Sequence, residues 1–175
     1  GSSGTELLDK TLGLHAYGNV GKRLARIAHG FGMKVYAYDP FISKSVIEKD
    51  GVINVESLGD LYSDCQYVSI HIPADKQTII SINFDLMNRM PKGAVLVNTA
   101  RKEVIDETGL LKMMEVRPDF KYASDIIPDC VAEFEQKFKG RFFFTPKKMG
   151  AQTEEANINA GVAAAHQIVR FFKAG

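Results

Sequence analysis

Residues 11–40 read TLGLHAYGNVGKRLARIAHGFGMKVYAYDP. The stretch opens on a short apolar run, Thr11 to Ala16, and turns through Gly18 and Gly21. Apolar residues then recur at Val20, Leu24, Ile27, Ala28 and Phe31, and the stretch closes on a second run, Lys34 to Asp39. Runs this short and β-rich fit strands buried on both faces. The three- and four-residue spacing between them predicts a helix, with Gly32 as its C-terminal stop. Strand, glycine turn, helix and strand make a βαβ unit, whose two strands run parallel because the helix carries the chain back.

The same alternation continues outward. TLGLHA (11–16), KVYAYD (34–39), YVSIHIP (67–73), AVLVNTA (94–100), KYASDII (121–127) and RFFFTP (141–146) read as strands. Helical spacing predicts further helices over 43–50, 57–63, 82–90, 106–115, 131–139 and 153–173. The expected architecture is a doubly wound parallel α/β sheet of the Rossmann type, a three-layer sandwich with right-handed crossovers, its ordered core spanning about residues 11–173 of one domain, 1–175. Such sheets bind ligands beyond the carboxyl ends of their strands. The chemically interesting residues sit at those ends: Gly18, Asp39, His71 with Pro73, Asn98 to Arg101, Asp125 and Lys147.

Composition narrows the partners. Lys plus Arg number 22 against 21 Asp plus Glu, so no net field draws in nucleic acid or an anionic membrane surface. A small ligand fits better. Two cysteines, Cys65 and Cys130, stand far apart without a partner motif, which suits a reducing compartment, most simply the cytoplasm. No apolar run reaches membrane-span length, and no His, Cys, Asp and Glu spacing matches a metal site. GSSG at the start reads as an expression scar or native linker. Without an initiator Met, the sequence reads as a piece of something longer.

In the first turn, backbone N–H groups and the positive end of the helix must approach a pyrophosphate. The loop Ala16, Tyr17, Gly18, Asn19, Val20, Gly21 keeps two glycines of a G-x-G-x-x-G pattern and replaces the first with alanine. Tyr17, Gly18, Asn19, Val20 and Gly21 are therefore candidate cofactor contacts. Asp39 follows Gly18 by 21 residues, the spacing of a carboxylate that hydrogen-bonds adenosine ribose hydroxyls. It would repel a 2′-phosphate, which points to NAD over NADP. The alternative is a plain glycine turn followed by an Asp-Pro loop.

Arg101, just past the NTA of a buried strand, could hold a carboxylate bidentately or pair on the surface with Glu103 or Asp106. The pieces KTLGLHAYGNVG, FGMKVYAYDP, VSIHIPADKQT, MPKGAVLVNTAR, VIDETGL, SDIIP and TPKKMGAQTEEA, in this order along almost the whole chain, resemble the D-isomer-specific 2-hydroxyacid dehydrogenases. The resemblance implies the cofactor domain of such an enzyme, with the substrate domain built from chain outside this sequence. It also implies that His71, Pro73 and Thr78 lie on the adenosine side. Asn98, Thr99, Ala100 and Arg101 would floor the nicotinamide and substrate pocket, and Asp125 would meet the nicotinamide carboxamide.

The family's catalytic arginine falls on Arg101, but its glutamate position holds Cys130 and its histidine position holds Lys147. A histidine benefits from a neighbouring carboxylate, whereas a lysine, ordinarily near pKa 10.4, must be lowered to act as a base. Losing the glutamate while gaining a lysine is a coherent pair of changes, helped by the cations Arg101 and Lys148. Asp129 is a less favoured substitute for the missing glutamate. The pattern resembles a lysine-bearing short branch, which implies NAD-dependent oxidation of 3-phosphoglycerate to 3-phosphohydroxypyruvate in phosphorylated serine synthesis, with Arg101 and Lys147 catalytic. Glycerate or lactate as substrate, and a catalytically silent NAD-binding regulatory or scaffolding module, are the alternatives. His15, His29 and His166 read as packing or surface residues. The last helix places Ile158, Val162, Ala165, Ile168, Val169 and Phe172 on one face, suited to its own sheet or to a homodimer, which the resemblance favours.

Overall fold

The computed structural model describes residues 4–147 together with 150, 153, 155, 158, 159, 162, 166 and 170. In chain order the elements are β1 (Thr11–His15), α1 (Asn19–Gly30), β2 (Lys34–Tyr38), α2 (Lys44–Lys49), β3 (Ile53–Asn54), α3 (Leu58–Asp64) and β4 (Tyr67–Ile70). They continue with α4 (Phe84–Met87), β5 (Val95–Asn98), a 3-10 turn (Lys102–Val104), α5 (Glu107–Val116), β6 (Lys121–Ser124), α6 (Val131–Lys137) and β7 (Phe142–Phe144). All strand pairs are parallel, in the order β3-β2-β1-β4-β5-β6-β7. The order reverses between β1 and β4, and a crevice opens there above the strand ends.

Alternating strand residues feed two cores, one on each face. Leu12 and Leu14 of β1 and Val35 and Ala37 of β2 pack with Ala25, Ala28 and Ile47 of α1 and α2. Val68, Ile70 and Leu96 pack with Leu61, Leu110 and Met113 of α3 and α5. The two clusters make the sandwich expected of a doubly wound sheet. On the far edge, the Phe134 ring lies within 5.3–5.5 Å of Phe138, Phe142 and Phe144 and pins α6 to β7.

Several expectations need correction. Strand β3, two residues on an edge, has too little apolar run to show in the sequence. The helix expected over 82–90 shrinks to Phe84–Met87, because Ile82 is spent on a bridge to Ile105 and the Asn83 side chain caps the turn at Leu86 N–H, 3.0 Å away. The apolar spacing along α1 marks its buried face only in part: Ala28 is buried and Leu24 packs against the core, but the rest of the spacing points elsewhere. Gly21, Ala25 and Ala28 face the sheet, while Val20, Ile27 and Phe31 are 62%, 58% and 58% exposed. Small residues let the helix sit close on the strands, and the larger ones ride outside. Gly32 does end this helix, at φ +73° with its N–H on the His29 carbonyl at 2.9 Å. Of the last helix's expected face, Ile158 and Val162 are exposed, and Ala165, Ile168, Val169 and Phe172 lie outside the described residues.

Candidate functional site

The β1–α1 loop is built by backbone geometry. Ala16 adopts φ +86°, and its N–H reaches the Tyr38 carbonyl at 3.0 Å. A Cβ on Gly21 would lie 2.7 Å from the Ala16 carbonyl oxygen, so only glycine allows α1 to start this close to β1. A Cβ on Gly18 would meet no protein atom within 4 Å. Gly18 is also the N-cap of α1 and supplies no side chain, and no acidic residue sits in the first turn. The N-terminal end of α1, with Asn19 and Val20 in its first turn, therefore presents N–H groups and a positive dipole end without a built-in anion.

Asp39 stands at the end of β2 and binds this loop. Its Oδ2 accepts the Tyr17 N–H and its Oδ1 the Phe41 N–H, each at 2.8 Å. A carboxylate has about four acceptor sites, so two remain open. The Tyr17 ring turns into the core, and its hydroxyl donates to Asp50 Oδ2 at 2.9 Å. Burial, and then that bond, push its pKa well above the ordinary phenol value. With its N–H on Asp39 and its hydroxyl on Asp50, Tyr17 shapes the loop.

Val20, His71, Ile72, Pro73, Thr99, Ala100 and Arg101 line one open cleft over the β1, β4 and β5 ends. His71 continues β4, its N–H on the His15 carbonyl at 2.9 Å. Burial lowers its pKa to about 4, so its ring is neutral at pH 7. His15 beneath is also lowered to about 4, mainly by burial and further by His71, against an opposing pull from Asp39. His15 Nδ1 lies 3.2 Å from the Tyr62 hydroxyl, a packed histidine as expected. Thr78 is committed locally: its hydroxyl donates to the Pro73 carbonyl at 2.6 Å and closes the loop after β4.

Asn98 is fully buried and organises the turn that carries Arg101. Its Oδ1 accepts the Ala100 N–H at 3.0 Å and its Nδ2 donates to the Arg101 carbonyl at 2.9 Å. Arg101 pairs with neither Glu103 nor Asp106, and its Nη1 donates to the Ala100 carbonyl at 2.8 Å. Two buried side-chain atoms among the described residues lack a hydrogen-bond partner: His71 Nε2 and Asp125 Oδ1. Both belong to residues expected to meet the cofactor. A polar atom buried without a partner costs about 1–3 kcal/mol, which a ligand that bonds it recovers. Together with the glycine cradle and Asp39, these residues fit a dinucleotide.

Lys147 is exposed just beyond β7, its carbonyl accepting from Thr145 Oγ1 at 3.2 Å; Lys148 lies outside the described residues. Asp129 points to a different rim, where Lys102 Nζ reaches its Oδ1 at 2.6 Å. Cys130 is buried, and burial plus the nearby Glu107 push its thiol up to about 12. Neither therefore offers a free carboxylate where the family places its glutamate. Sequence reasoning passed over Ile72, a cleft wall, and Glu107. A glutamate in a helix's first turn reads as serving its own helix, so nothing in the sequence flagged its longer reach.

Residues 1–141 match the family described as D-isomer specific 2-hydroxyacid dehydrogenase, NAD binding domain. A crystal structure of the NAD+-bound 3-phosphoglycerate dehydrogenase of Entamoeba histolytica is 47% identical, with a TM-score of 0.87, over 99% of this chain and 55% of that one. The D-3-phosphoglycerate dehydrogenase of Synechocystis sp. is 34% identical over 94% of this chain and 30% of its own length. The hydroxypyruvate reductase of Thermotoga maritima is 34% identical over 95% of this chain and 54% of its length. The chain thus spans from under a third to about half of these relatives.

Proposed function

This chain belongs to the D-isomer-specific 2-hydroxyacid dehydrogenases, as a match to their NAD-binding domain, and from that premise we propose that it holds NAD for the oxidation of 3-phosphoglycerate to 3-phosphohydroxypyruvate in serine synthesis. The observation that carries the cofactor reading is the pair of buried, unpartnered atoms, His71 Nε2 and Asp125 Oδ1, in a fold whose first turn leaves a helix N-terminus open. The substrate reading is supported by the 47% identity to the Entamoeba histolytica enzyme. Bound NAD supplies the hydride acceptor.

The chain's own residues do the rest. Gly18, Asn19, Val20 and Gly21 would receive the pyrophosphate, Asp39 the ribose hydroxyls, and His71 and Pro73 the adenosine side, in a loop that Thr78 closes. Asp125, with its unpartnered Oδ1, would accept from the carboxamide and so orient the nicotinamide end. Arg101 swings from the Ala100 carbonyl to clamp the substrate carboxylate, with Thr99 and Ala100 as the floor. Lys147 Nζ takes the hydroxyl proton on oxidation and returns it on reduction. We place the protein in the cytoplasm, since Cys65 and Cys130 are both free and buried, and as a homodimer, for which the exposed Ile158 and Val162 supply apolar surface.

Cys130 and the exposure of Lys147 favour one competing reading, a module that binds NAD without turnover. NADH formation by the full-length protein with 3-phosphoglycerate, run beside its Lys147→Ala variant over a pH series, separates the two. Turnover that collapses by about 100-fold or more in the variant, with the parent's rise of rate with pH lost alongside it, establishes the lysine as the acid-base group. NAD binding with no turnover on this or other D-2-hydroxyacids establishes the silent module.

A further inference from the structure

The loops that carry Arg101 and Asp125 leave neighbouring strands, β5 and β6, and are tied together at both ends. At the strand ends the Asn98 carbonyl accepts from Ser124 Oγ at 2.8 Å and from the Asp125 N–H at 3.3 Å. Further out, Glu107 in the first turn of α5 reaches across to the other loop. Its Oε1 accepts the Asp129 N–H and its Oε2 the Cys130 N–H, each at 2.9 Å. A glutamate at this position ordinarily serves its own helix. Here it caps α6, whose N-cap Cys130 makes no side-chain capping bond of its own.

A second tie, Lys102 to Asp129, joins the same loops, but its side chains are 38% and 78% exposed, so solvent screens most of its strength. The Glu107 bonds are charge-assisted and bidentate, and the one to the Cys130 N–H is part-buried, so they carry more of the clasp than the exposed ion pair. The turn from Asp125 to Cys130 is thus fixed at both ends: by Asn98 where Asp125 leaves β6, and by Glu107 where α6 begins. Between them stands Asp125, whose Oδ1 is buried without a partner. Fixing the backbone on both sides of Asp125 lowers the ordering cost of holding its carboxylate in one place.

We propose that Glu107 is a positioning residue: by clasping the Asp129 and Cys130 N–H groups, it sets the Asp125 carboxylate for the nicotinamide end of the cofactor. The proposal rests on the NAD reading above. It requires that Glu107 matter for the nicotinamide half and not for the adenosine half, which Gly18, Gly21 and Asp39 hold independently.

Glu107→Gln keeps the shape but turns one acceptor into a donor facing an N–H. In the 175-residue chain it should weaken NADH affinity about tenfold while leaving ADP-ribose, which lacks the nicotinamide, within about twofold. Amide exchange at Asp129 and Cys130 should accelerate, with β1 and α1 still protected. Lys102→Met should change NADH affinity by less than about twofold. Unchanged NADH affinity in Glu107→Gln, or an equal loss for ADP-ribose, overturns the proposal. If the unmodified chain binds neither probe, the NAD reading itself fails and the clasp falls with it, an outcome seen before any variant is made.

Discussion

Ala16 stands where a glycine would be at ease. At φ +86° its Cβ costs about 1–2 kcal/mol, while a glycine there would lose about 0.5–1 kcal/mol in extra unfolded-state freedom. Ala16→Gly should therefore stabilise the chain by about 0.5–1 kcal/mol, raising its melting temperature by about 1–4 °C with NADH affinity unchanged. A lower melting temperature would mean that the loop is not strained. Gly21 is the opposite case, since a Cβ would stand 2.7 Å from a backbone oxygen that cannot yield without moving β1. Gly21→Ala should cost about 1–3 kcal/mol and weaken NADH binding, read by denaturant midpoint and fluorescence titration. The glycine spacing and Asp39 were legible in the sequence. That Tyr17 turns its ring inward and gives its N–H to Asp39 was not, because a side chain's direction depends on neighbours 22 and 33 residues away.

At the scale of elements, the ends of β1 and β4 place His15 and His71 side by side with both pKa values lowered to about 4. In the unfolded chain these rings titrate near 6.5, so between about pH 6.5 and 4 the unfolded state binds more protons than the folded one. Stability should fall as pH drops through that window and stop responding to these rings below about pH 4. For the buried His15 the loss is on the order of 3 kcal/mol. Denaturation free energies measured at steps from pH 7 to 4 should show a shallower slope in His15→Gln; an unchanged slope would leave acid sensitivity to the carboxylates. Helix α1 makes a second test, because its apolar spacing marks its buried face only in part. Ile27→Lys should change stability by less than about 0.5 kcal/mol, whereas Ala28→Leu should cost about 1–3 kcal/mol by forcing the helix off the sheet.

For the whole molecule, the cleft over the switch point gathers Val20 from the start of α1 with His71, Pro73, Thr99, Ala100 and Arg101 from the loops after β4 and β5, yet the chain spans only 30% to 54% of the curated relatives compared. We expect the 175 residues alone to bind NADH and to give no steady-state NADH formation with 3-phosphoglycerate; measurable turnover would show that no further chain is needed. The sequence by itself determined the alternation of strands and helices, the parallel sheet, the glycine turn and the acidic end of β2, because each is written in residues close together along the chain. Only the tertiary structure decided that the fully buried residues of α1 are the small ones, Gly21, Ala25 and Ala28. It alone decided that Asp129 is drawn away to Lys102, that His71 Nε2 and Asp125 Oδ1 are buried without partners, and that Glu107 serves a helix other than its own. These depend on which residues distant in sequence come within a few ångströms, and the strand order, not local spacing, sets those distances.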